Sequence, residues 1–152
     1  VERFVARHRA WIDARVAEFR LRPAPDRQRL PADVELRALG ERWSVEYRPR
    51  QRRGWTEPRP GLLVVHGEPG DLPRTRETLR DWLVDRGRRA LEPWLAQEAG
   101  ASGLPYARAQ VRRQRTRWGS CSRTGTISLN VSLLFQPPAV VRSSVSAATS
   151  TS

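Results

Sequence analysis

Lysine and methionine are both absent from these 152 residues, and there is a single cysteine. Every one of the 28 basic residues is therefore arginine. Cys121 has no second thiol with which to close an internal disulfide, which agrees with a reducing compartment. Two histidines, His8 and His66, are the only imidazoles available to hold a metal or move a proton. No apolar run approaches the roughly 18 residues of a membrane span, and no charged, apolar, small-residue series opens the chain. A cytoplasmic protein without a membrane partner is the expectation. The length allows one domain with a real core and is short for two. Without methionine, Val1 reads either as a GTG start or as a cut N-terminus.

A net charge of +12 ordinarily points to a polyanionic partner, because clustered cations gain affinity by releasing counterions from phosphate. Arginine in place of lysine throughout, beside abundant alanine and proline, is what a GC-rich coding sequence produces. The nucleic-acid inference is discounted accordingly. It survives as the competing class, an interaction module without enzymatic activity, in which Tyr106, Arg108 to Arg117 and Trp118 form a basic strip with stacking positions.

Local patterns place the elements. Val1, Phe4, Val5, Trp11, Ile12, Val16 and Phe19 recur at helical spacing until Pro23 and Pro25 end the run. Val34 to Ala38 and Trp43 to Tyr47 alternate around Gly40 and predict a hairpin with one buried face. Pro58 and Pro60 predict an irregular stretch, and Leu62-Leu63-Val64-Val65 a strand covered on both faces. From Leu79 to Leu95 a helical stripe is interrupted by Gly87 and Pro93, which predicts a kink or two shorter helices meeting near residues 90 to 93. The last ten residues are Ser, Thr, Ala and Val only and predict no packed element.

The most informative stretch is Arg117-Trp118-Gly119-Ser120-Cys121-Ser122, which runs through Thr124-Gly125-Thr126 into Ile127-Ser128-Leu129-Asn130. Glycine with small polar neighbours between two apolar segments predicts a β-hairpin, with Trp118 packed beneath it. This stretch, the leucine pair at 133 and 134 and Pro137-Pro138 resemble the YgjP-like metallopeptidase family, related to the SprT-like and WLM zinc peptidases. The local patterns together predict an α+β fold: an N-terminal helix, a small mostly antiparallel sheet, a broken central helix and a C-terminal hairpin. The resemblance implies a zinc-dependent hydrolase acting on peptides or proteins, with zinc held by a His-Glu-x-x-His helix directly after the hairpin.

This chain reads instead Ser143-Ser144-Val145-Ser146-Ala147-Ala148-Thr149-Ser150-Thr151-Ser152. The expectation is thus a partial family domain over 1–142 and a tail over 143–152, disordered or out of frame. No active-site helix, zinc ligand or catalytic residue is expected in the chain as written. Thr149-Ser150-Thr151 can be encoded so that a neighbouring frame reads His-Glu-His, and a frameshift after Arg142 accounts for the tail. Arg117, Trp118, Gly119, Ser120, Cys121 and Asn130 remain as motif positions with structural or substrate-edge roles, the edge strand being 127–130 or 106–113. His66 stands outside any ligand spacing, and no histidine that could act as base lies near Cys121 in sequence. Without the covering helix, Leu129, Leu133, Leu134 and Phe135 are expected to be exposed.

Overall fold

A computed structural model describes residues 29–68, 70–103, 105–115 and 117–149. The chain divides into two units, Val1–Leu30 and Pro31–Ser152, and every element below belongs to the second. The helix predicted over residues 1–19, with His8 on it, lies outside the described residues.

Alternation does what it predicts in the first hairpin. Strand β1 (Asp33–Leu36) pairs antiparallel with β2 (Glu41–Pro49) across a 3-10 turn at Arg37–Leu39. Gly40 closes that turn at φ 64°, a conformation open to glycine at no steric cost. Strand β4 (Leu62–Gly67) runs parallel to β2 and is buried on both faces, Leu63 and Val65 on one and Val64 on the other. The stretch around Pro58 is corrected: β3 (Gly54–Arg59) pairs antiparallel with β4, its register shifting between Thr56 and Arg59. Proline is tolerated there because β3 is an edge strand and Pro58 falls at the irregularity, where no ladder N–H is required. The sheet order is β1-β2-β4-β3.

Helix α1 (Leu72–Ser102) begins at Asp71, whose side chain accepts from the Arg74 N–H at 3.1 Å, and ends at Gly103 with φ 64°. The alternative of two shorter helices is corrected: a single helix runs through residues 90 to 93. Pro93 stands on the exposed side of one continuous helix, so its ring needs no room in the core and the carbonyl it leaves unpaired can turn to water. Leu79, Trp82, Leu91, Leu95 and Ala99 form the buried stripe. Trp82 meets Trp43 of β2 edge to face, ring centres 5.5 Å apart.

A second sheet follows, in the order β5-β7-β6. Strand β5 (Arg108–Arg112) is parallel to β7 (Thr126–Asn130), and β6 (Gly119–Cys121) is antiparallel to β7 across the predicted glycine turn. Gly125 takes φ 76°, and a Cβ on it would lie 3.2 Å from the Ala107 backbone nitrogen. The class is α+β, with two mixed sheets in place of the single mostly antiparallel one. A parallel pair needs a long connection, which local patterning does not reveal.

Two further corrections concern the C-terminal region. Helix α2 (Pro138–Thr149) takes up most of the predicted tail, and Val141 and Val145, one helical turn apart, are fully buried. It packs against β6, β7, α1 and the 3-10 segment Val131–Phe135. Leu129, Leu133 and Leu134 are consequently buried, and of the four apolar residues predicted to be exposed only Phe135 is.

Gly87 explains how α1 comes so close to the second sheet. A Cβ there would stand 3.1 Å from Val111 Cγ1, 3.4 Å from Val131 Cγ2 and 3.5 Å from Leu134 Cδ1. Alanine gains about 1 kcal/mol of helix propensity over glycine, but crowding a packed core costs about 1–3 kcal/mol, and the stiff Val111 side chain cannot rotate away freely. Gly87→Ala should therefore lower stability by about 1 kcal/mol in urea denaturation. A stabilised variant would mean that helix and sheet are less tightly apposed.

Candidate functional site

Strand β5 ends beside the end of β7, so the chain must pass around that end to reach β6. Asn130, the last residue of β7, sits where the connection passes. Its side-chain amide donates to the Gln114 carbonyl at 2.9 Å and the Arg117 carbonyl at 2.8 Å, while its oxygen accepts from the Ser132 N–H at 3.0 Å. Its backbone N–H donates to the Trp118 carbonyl at 2.8 Å. One side chain, 5 % exposed, thus pins the loop and caps the following 3-10 segment.

The other motif residues are distributed by strand alternation. Gly119 and Cys121 lie opposite Leu129 and Ile127 and share their buried face; Ser120 lies opposite Ser128 and shares the other. Trp118, one residue before Gly119, takes the Ser120 side and is 45 % exposed. The expectation that it packs beneath the hairpin is corrected for that reason. On the same face Gln110 Nε2 donates to Ser128 Oγ at 2.7 Å, and Arg108 and Arg112 are exposed. Arg117 is exposed, and Cys121 is half-buried with Sγ 3.5 Å from the Ser122 carbonyl. Of the two proposed edge strands, 127–130 is central in its sheet, whereas β5 within 106–113 is paired on one side only among the described residues.

His66 lies in the other sheet, on β4, with Nε2 3.3 Å from Thr56 Oγ1 and Nδ1 buried without a partner among the described residues. Burial, with Arg50 and Arg48 nearby, lowers its pKa, which favours the neutral ring.

A pair of carboxylates that sequence reading missed lines a cavity of about 540 Å³ beside β2, β3 and α1. Glu41 accepts from Trp43 Nε1 at 2.9 Å and is clamped by Arg86; Glu57 accepts from Trp82 Nε1 at 2.8 Å and from both terminal nitrogens of Arg89. The Arg89 hydrogen bonds hold the Glu57 carboxyl below its ordinary range against the opposing effect of burial. An ionised carboxylate so fully supplied with donors is neither a ready proton donor at neutral pH nor an available base. Its bonds between elements join positions 25 to 45 residues apart, and its one sequence signal is Arg86 and Arg89 at helical spacing.

A zinc site needs three or four converging nitrogen, sulfur or carboxylate donors. Among the described residues no three of His, Cys, Asp and Glu come together, and residues 138–149 of α2 contain none of these types. The donors among the described residues do not make up such a set. No helix is long and apolar enough to cross a membrane among the described residues.

A family model described as "YgjP-like, metallopeptidase domain" matches residues 1–143. No curated protein and no solved structure matches the chain.

Proposed function

The chain belongs to the YgjP-like metallopeptidase domain family, and from that premise we propose that its 152 residues supply the substrate-holding scaffold of a zinc peptidase without the catalytic centre. The observation that carries this reading is α2. It follows the hairpin after the short 3-10 segment and packs against β6 and β7, where the family resemblance calls for the helix that bears the metal ligands. Two imidazoles one turn apart grip zinc in such a helix, and a glutamate beside them serves as base. Here α2 offers Pro, Val, Ala, Ser, Thr and one arginine.

What this chain's own residues can do is bind and orient. The outer side of β5 can take an extended peptide by backbone pairing, as other sheet edges do, with Arg108 and Arg112 beside it. Peptides or proteins are accordingly the proposed ligands, in the cytoplasm.

Metal analysis of the purified chain after zinc loading and dialysis, together with turnover of a mixed fluorogenic peptide library, tests the reading. Substoichiometric zinc and no turnover above buffer are expected. Stoichiometric, retained zinc accompanied by peptide hydrolysis would overturn it.

A further inference from the structure

All 16 acidic residues of the chain precede residue 99, whereas arginines continue at 108, 112, 113, 115, 117, 123 and 142. A GC-rich coding sequence exchanges lysine for arginine, but aspartate and glutamate have GC-rich codons too. Coding bias therefore leaves this asymmetry unexplained.

The asymmetry becomes spatial in the fold. Arginines of the first sheet and α1 are largely matched: Arg42 with Asp33, Arg48 with Glu46, Arg86 with Glu41, Arg89 with Glu57. In the second sheet and its loops only Arg113 has a carboxylate, Glu77, among the described residues. Arg108 and Arg112 are exposed on one side of β5, Trp118 follows on the same side two strands away, and exposed Arg115 and Arg117 lie on the loop between. Two strand spacings are about 10 Å, a distance that one short ligand can bridge. The loop does not hang free, because Asn130 holds it at the Gln114 and Arg117 carbonyls.

We propose that this face binds single-stranded nucleic acid, with Arg112, Arg115 and Arg117 on phosphates and Trp118 stacked on a base. The inference is independent of the peptidase reading. Guanidinium groups match phosphate geometry, and an indole nearly half exposed on a pinned loop offers a stacking surface. A single strand is favoured over a duplex because stacking needs an unpaired base face. An acidic peptide would meet the same charges but makes no particular use of the indole.

Fluorescence anisotropy of the full chain with labelled oligothymidylate, titrated at several salt concentrations, tests this. Binding should weaken as salt rises, and the combined Arg112→Ser, Arg115→Ser, Arg117→Ser variant should reduce the log–log salt slope by about 2. Trp118→Ala should weaken binding on the order of tenfold with the slope unchanged, and Trp118→Phe should restore most of the loss. These positions are exposed, so the variants should retain the wild-type melting curve. Unchanged affinity for Trp118→Ala, or polyglutamate competing as well as unlabelled oligothymidylate, would overturn the proposal and leave a general polyanion or acidic-peptide surface.

Discussion

Val145→Asp should destabilise the protein by about 3–5 kcal/mol, the magnitude of an uncompensated buried charge. Val145 is fully buried with Val141 on the inner side of α2, against the second sheet and the 3-10 segment that carries Leu133 and Leu134. Among the described residues no arginine is buried, and Arg142, the one cation on α2, is exposed. A carboxylate introduced there must therefore remain charged without a partner, take up a proton, or expel the helix, and each route costs stability. Expelling α2 would uncover apolar surface on β6, β7 and α1 together. The control is Ser143→Asp, on the exposed side of the same helix, where a surface substitution should stay within about 0.5 kcal/mol. Urea midpoints of the two variants decide the matter. Equal midpoints would mean that residues 138–149 contribute nothing to the fold, which would restore the tail expected from composition.

That tail shows how composition misleads. Ser, Thr and Ala outnumber the apolar residues after Arg142, so the stretch reads as low in complexity. Yet two valines four residues apart, preceded by a proline at the first helical position, are the minimum pattern of a helix with one buried side. Strict alternation makes β2 legible, a short continuous apolar run does the same for β4, and glycine marks the turn at 125. Strand β3 is hidden by Pro58, since the rule that proline leaves sheets relaxes at an edge. Trp118 is misplaced because a large aromatic is assigned to the core by default. The parity of β6, with Gly119 facing inward, puts it outside. The Glu41–Arg86 and Glu57–Arg89 clamps cannot be read at all, because they join residues 45 and 32 positions apart through a docking that only the whole fold defines.

Asn130→Ala should cost about 3 kcal/mol and loosen the loop before β6. The side chain makes three hydrogen bonds at 5 % exposure, and each buried group left without its partner costs about 1–3 kcal/mol. Arg117 is exposed and its carbonyl regains water cheaply, which keeps the total toward the lower end of the sum. Asn130→Asp is the sharper comparison. It preserves shape and still accepts from the Ser132 N–H, but it turns a carboxylate oxygen toward two carbonyl oxygens that had shared the amide donor. At neutral pH it should be at least as damaging as alanine. Because those carbonyls favour the protonated acid, the folded-state pKa of the introduced carboxyl would be raised above the ordinary value of about 3.9, so the variant's deficit relative to wild type should shrink as pH falls. Paired urea denaturations at neutral and acidic pH measure this, and backbone amide exchange over residues 113–118 reports the loop directly. If Asn130→Ala leaves both stability and exchange unchanged, the loop is held by something other than this amide. If the loop does loosen, oligothymidylate affinity should fall with it even though Asn130 itself is buried, because Trp118 and Arg117 would lose the fixed platform that presents them together.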